Sequence, residues 1–186
     1  MRFNEHSRIT GTHAFLSASN PAWVNYDDDK LDARFVTALA AQRGTELHAL
    51  ANDLIRLKVK LPDVQKTLNL YVNDAIGFRM SPEQTLFYSL NCYGTADAIA
   101  FKNNFLRIHD LKTGATKTSL VQLVVYAALF CLEYGHLPVD LEFELRIYQN
   151  NKVQIYAGDP DEITHVMSKI VAFDRRIEVL RQEALG

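Results

Sequence analysis

The pattern of apolar residues predicts an α/β domain whose core runs helix, three strands, helix, strand, with further helices at either end. Two observations carry this reading. Residues 93–99 and 104–111 are β-branched, aromatic or alternating, and Lys102-Asn103-Asn104 between them is a polar, αL-tolerant hairpin turn. The stretches 31–58 and 160–183 instead repeat apolar residues at helical spacing. Length sets the scale: 186 residues, 48% of them hydrophobic, should bury roughly 70% of the unfolded surface, enough for a sheet with helices on both sides. One domain spanning 1–186 accommodates this, with a core over roughly 40–156 and a carboxy-terminal helix over 160–184.

Taken in order, Ser19 or Asn20 is placed to cap a short helix with Pro21 at its first position. Trp23 and Tyr26 read first as packing residues and second as stacking surfaces for unpaired bases. Asp27-Asp28-Asp29 reads as a solvated turn. Leu31 to Lys58 forms a long helix carrying Phe35, Leu39, Leu47, Leu50, Leu54 and Leu57, bent or interrupted near Gly44. Pro62 ends that region, and Asp63 to Phe78 is a second amphipathic helix, capped by Asp63 and closed near Gly77. Ser81-Pro82 opens a strand that runs to Leu90. The apolar run Ser119 to Glu133 is a helix, with Thr118 or Ser119 as its N-cap. From Val139 to Tyr148, Leu141, Phe143, Leu145 and Ile147 alternate with Glu142, Glu144 and Arg146, a strand with one solvated face, and Asn150-Asn151 turns it into Lys152 to Tyr156. The last helix bears Ile163, Val166, Met167, Ile170, Phe173, Ile177 and Leu180, a stripe that reads as core packing, any exposed part of which would serve homo-oligomers.

The chemistry concentrates on the hairpin. Gly94-Thr95-Ala96-Asp97 lies on its first strand and Asp110-Leu111-Lys112 ends its second. Side chains two apart on a strand share a face, so Asp110 and Lys112 project together while His109 and Leu111 project from the other side. In a sheet covered on both faces an unpaired carboxylate is costly. A divalent cation is the simplest common partner for Asp97 and Asp110, and oxygen donors suit magnesium or manganese. A neighbouring lysine can orient or deprotonate the attacking water, or neutralise charge on a phosphate. Asp-x-Lys alone is also an ordinary surface charge pair that contributes little.

Company gives the motif its weight. Gly44-Thr45-Glu46-Leu47-His48 lies on the long helix, and Gln122 and Tyr126, four apart, share a face of the helix after the Asp-x-Lys strand. In the order Gly-x-x-x-His, Gly-x-x-Asp, Asp-x-Lys, Gln-x-x-x-Tyr, residues 40 to 150 resemble the PD-(D/E)XK nuclease superfamily, and within it the RecB-like and phage exonuclease branch. The proline of the superfamily's name is Ala96 here. The resemblance implies a restriction-endonuclease-like αβββαβ core with a mixed central sheet flanked by helices. It also implies a magnesium- or manganese-dependent deoxyribonuclease, an exonuclease or end-processing enzyme of recombination, repair or phage DNA metabolism. His48, Asp97, Asp110 and the Leu111 carbonyl would hold one or two ions; Asp97, Asp110 and Lys112 would be catalytic; Gln122 and Tyr126 would hold substrate. Glu46 is a second helix-borne candidate ligand, but it sits about 200° around the helix from His48, so the two cannot both face one metal. The alternative function is a catalytically silent DNA-binding or assembly subunit that keeps the nuclease fold.

Charge and composition narrow the rest. The net charge is −2, yet Lys102, Arg107, Lys112 and Lys117 face only Asp110 between residues 101 and 118. The loop that starts at Thr113 and includes Lys117 offers hydroxyls and amides to a phosphate. DNA, single- or double-stranded, is the expected partner, with a second copy or a recombination protein as further partners. Cys92 and Cys131 are two where an iron–sulfur cluster needs four ligands, so no cluster is expected. No run reaches the ~20 apolar residues of a membrane span, and the amino terminus lacks an apolar signal core, so a cytoplasmic location is expected.

Overall fold

The structure, a computed structural model, describes residues 7–9, 13–114 and 119–185. The chain divides into two compact units, Met1–Arg43 and Gly44–Gly186. In the first, Pro21–Asn25 form a 3-10 turn with Pro21 at its start, although Asn20 makes no side-chain capping bond. The triple aspartate is solvent-exposed, as expected, but only Asp27 lies outside the helix. Asp27 Oδ1 accepts the Lys30 amide at 2.8 Å and Asp28 and Asp29 occupy the first turn of α1, Asp28–Leu57. Carboxylates satisfy the free amides and the positive dipole at a helix start, which is what the reading missed.

The second unit holds a five-stranded mixed sheet in the order β1-β2-β3-β4-β5. Its strands are β1 (Ser81–Ser89), β2 (Cys92–Lys102), β3 (Phe105–Leu111), β4 (Glu142–Gln149) and β5 (Lys152–Ala157). Among the described residues only the β3–β4 pair is parallel, because α3, Val121–Tyr134, carries the chain across between them. Two of the tight hairpins, β2–β3 and β4–β5, turn on Asn103-Asn104 and Asn150-Asn151, all four with φ between 51° and 60°, the left-handed geometry that asparagine tolerates.

Helices cover both faces. On one, Leu106, Ile108, Leu145 and Ile147 pack with Leu123, Ala127 and Phe130 of α3 and Ile163 of α4, Pro160–Leu185. On the other, Leu111, Ala98 and Tyr148 pack with Ala51 and Ile55 of α1 and Tyr71, Val72 and Ala75 of α2, Thr67–Gly77. Thus the β4 face expected to be solvated is open at Glu142 and only half-buried at Glu144 and Arg146, where α2 packs against it. There Arg146 meets Asp74 Oδ2 at 3.0 Å, Glu144 binds both Arg107 and Arg146, and Tyr148 donates to Asp74 at 2.6 Å. A charged alternating face is compatible with burial when its charges are paired.

Helix boundaries moved for physical reasons. Among the described residues Asp63 caps no helix; α2 starts at Thr67, whose amide and hydroxyl both reach Asn151 Oδ1 in the β4–β5 turn, while the Asn151 amide donates to Thr67 Oγ1. The cap comes from 84 residues away, which local reading cannot see. Ser119 Oγ accepts the Val121 amide at 3.2 Å at the start of α3; Thr118 lies outside the described residues. The α4 stripe divides: Ile163 and Ile170 are buried, whereas Phe173 is 64% exposed and Ile177 and Leu180 are exposed too. That half of α4 is tied by polar bonds instead, Asp174 accepting from Ser89 and Asn91, and Arg181 donating to Asn91. Among the described residues no helix is long and apolar enough to cross a membrane.

Candidate metal centre

Three carboxylates lie in one row across three neighbouring strands. In the β1–β2 ladder Pro82 faces Ala98 and Gln84 faces Ala96, which sets Glu83 opposite Asp97. The β2–β3 ladder ends at Ala98 opposite His109, and one step further would set Asp97 beside Asp110. At that step the strands part: the Leu111 amide donates to Asp97 Oδ2 at 2.8 Å rather than to β2 backbone. β3 keeps its register with β4 through Leu111 opposite Tyr148. The row therefore sits where the sheet opens.

His48 on α1 completes the row, its Nδ1 3.5 Å from Asp97 Oδ1. Gly44, one turn earlier, runs through α1 without breaking it. What it supplies is closeness, since a Cβ there would lie 2.8 Å from Thr113 Oγ1. One ligand atom each from His48, Glu83 and Asp97 lie within 4.8 Å of one another, a grouping able to hold a metal ion. Glu83 was absent from the expected donors. It has φ 49° inside a strand, a conformation that costs of order 1–3 kcal/mol for a residue with a side chain and persists where the surroundings impose it.

Asp110 stands beside this trio rather than within it. It is 2% exposed; Oδ1 is 3.0 Å from Lys112 Nζ, and Oδ2 has no hydrogen-bond partner among the described residues. From Lys112 a chain of bonds continues outward. Lys112 Nζ donates to Gln122 Oε1 at 2.7 Å, and Gln122 Nε2 donates to Tyr126 Oη at 3.1 Å. The Tyr126 ring lies over Gly94, where a Cβ would come within 3.0 Å of Cε1, so the glycine of Gly-x-x-Asp leaves room for the tyrosine of the last motif.

The electrostatics are those of crowded acids. Burial pushes the Asp110 carboxyl above the usual range and the Asp97 charge pushes it further, against the pull of Lys112. Glu83 is raised by burial first and Asp97 second. His48 holds its proton more tightly because Asp97 accepts its hydrogen bond. The Asp110 and Glu83 carboxyls thus resist the charge of Asp97, and a buried carboxylate oxygen is left without a donor. A divalent cation relieves both conditions, and an imidazole with two or three carboxylates is a donor set that fits one.

The expected residues are distributed as follows. His48, Asp97, Asp110, Lys112, Gln122 and Tyr126 form one continuous constellation, and Leu111 joins it through its amide. Thr113 is exposed beside Gly44. Lys117 lies outside the described residues. Glu46 is exposed. Cys92 and Cys131 are free thiols, and burial pushes Cys131 up to about 11. No protein-family model matches this chain, and no characterised protein or solved structure does.

Proposed function

We propose that the chain is a magnesium- or manganese-dependent deoxyribonuclease of PD-(D/E)XK type, acting on DNA ends in recombination, repair or phage DNA metabolism. The observation that carries the reading is the convergence of His48, Glu83 and Asp97 within 4.8 Å beside a buried Asp110 whose Oδ2 lacks a partner. The order of the motifs along the chain supports the same reading.

In this mechanism His48, Glu83 and Asp97 would hold the ion, with Asp110 as a further oxygen donor. When bound, the ion polarises the scissile phosphate and makes its water more acidic. Lys112 supplies positive charge where the phosphate gathers negative charge. Asp110 and Gln122 fix its position from two sides, so the ammonium is oriented before substrate arrives. Gln122 uses its amide nitrogen on Tyr126, which places the phenol to bond a substrate oxygen. Proton-transfer and charge stabilisation of this kind contribute about 10²–10⁴-fold.

End-labelled linear, circular and single-stranded DNAs incubated with magnesium or manganese test the activity. Cleavage should stop in excess EDTA and fall at least about 10²-fold in Asp110→Ala and Lys112→Ala. Undiminished cleavage by either variant, or cleavage that survives EDTA, overturns the assignment.

A further inference from the structure

The unit ending at Arg43 contains a feature that the metal centre does not use. A cavity of about 340 Å³ is lined by Phe15, Asn20, Trp23, Tyr26, Arg34 and Thr37, among others. That volume falls in the range of small-molecule sites. None of the described residues 7–43 is buried, so these aromatics are not core packing. Phe15 is 43% exposed and Trp23 and Tyr26 are half-buried.

The rings are nevertheless held in place. The Trp23 indole N–H donates to the Ser17 carbonyl at 2.9 Å, which satisfies its one polar group and fixes the ring where it lines the cavity. Phe15 sits edge-on to Phe35, centroids 5.4 Å apart. Lys30 Nζ lies 4.7 Å from the centre of the Tyr26 ring, so a second cation stands against a ring that lines the cavity. Arg34 makes no ion pair among the described residues.

Fixed aromatic faces together with an uncommitted guanidinium and a side-chain amide match one ligand chemistry. Unpaired bases stack on aromatic rings, and the adjoining phosphodiester is met by arginine or lysine. An apolar peptide would leave the cations unanswered, and a duplex keeps its base faces stacked inside. We infer that this cavity is a stacking site for an unpaired base of a single-stranded nucleic acid, with Arg34 as its phosphate partner. The inference does not rest on the metal centre or on cleavage.

Trp23 is the only tryptophan in the chain, so its emission reports this cavity alone. Full-length protein in excess EDTA is titrated with short oligo-dT, oligo-rU and a blunt DNA duplex of equal length. Saturable quenching by the single strands is expected, several-fold weaker for the duplex, and the two single-stranded arms show whether the sugar matters. Arg34→Glu, an exposed helix position, and Tyr26→Ala should each weaken binding about fivefold or more, with circular dichroism unchanged. If Tyr26→Ala perturbs the fold, Arg34→Glu decides. No quenching, equal quenching by duplex, or unaltered affinity in Arg34→Glu overturns the inference. So does an emission change that follows protein concentration without oligonucleotide, which assigns the cavity to a second copy. Because EDTA silences cleavage, failure of the nuclease reading leaves this measurement intact.

Discussion

Replacing Glu83 by glutamine should reverse the sign of its effect on stability when a divalent ion is added. The ligand atoms of Glu83 and Asp97 lie within 4.8 Å. Two unit charges at that separation repel by about 1 kcal/mol in a water-like medium and about 3.5 kcal/mol at an effective dielectric of 20. Both groups reach solvent and His48 offsets part of the repulsion, so the lower figure, about 1 kcal/mol, applies. Glutamine keeps the shape and the same φ, so backbone strain cancels from the comparison. In EDTA, Glu83→Gln should therefore melt about 2–4 °C above the parent. At a manganese concentration of a hundred times Kd the parent gains about 2.7 kcal/mol, or about 5–11 °C, while the variant, one donor short, gains little. The order of melting temperatures should invert. Calorimetric melting of both proteins, in EDTA and then in manganese, reads this directly. A variant less stable than the parent in EDTA, or one with an equal gain in manganese, refutes the metal centre as drawn.

Two further outcomes follow from protons. His48 ligates only as neutral imidazole, and Asp97 raises its proton affinity, so manganese affinity by titration calorimetry should climb by about tenfold per pH unit through 6.5 and level off only above it. His48→Gln should flatten that profile, and a flat profile in the parent sinks the assignment. His109 behaves oppositely: it is 0% exposed, and burial, with Arg146 and Arg107 nearby, pulls its pKa down to about 2. The unfolded chain binds a proton below about 6.5 that the folded one refuses, so stability should fall by about 1.4 kcal/mol per pH unit from 6.5 towards 5. Urea unfolding should show this slope in the parent and lose that share in His109→Phe; an unchanged slope means His109 opens to solvent.

The chemistry of β3 was legible because strand periodicity puts Asp110 with Lys112 and His109 opposite, and the structure keeps both placements. His48 beside Asp97 followed from motif order. Glu83 did not, for a reason that lies in the β1–β2 register. Ser89 pairs with Cys92, but Phe87 pairs with Tyr93, so Tyr88 is an extra residue in β1. Counting back from the turn without that bulge sets Glu83 against Ala98; the bulge moves it one place, onto Asp97. A bulge has no sequence signature strong enough to find in advance. The Asn151 cap of α2 and the pairing of Arg146 on β4 with Asp74 on α2 are likewise tertiary, made by partners 84 and 72 residues distant.

β1 is also one of the sheet's two outer strands, and an unpaired strand edge invites another chain to add to it. Pro82 offers no amide there, Glu83 turns the backbone out of extended geometry, and the Phe87 amide is already taken by Glu133 Oε2 at 2.8 Å. The contortion that brings Glu83 over Asp97 thereby blunts the edge against aggregation and strand exchange. Straightening β1 would do more than remove a ligand: it would expose a longer run of template to neighbouring molecules, so solubility at high concentration is tied to the same Glu83 that shapes the site.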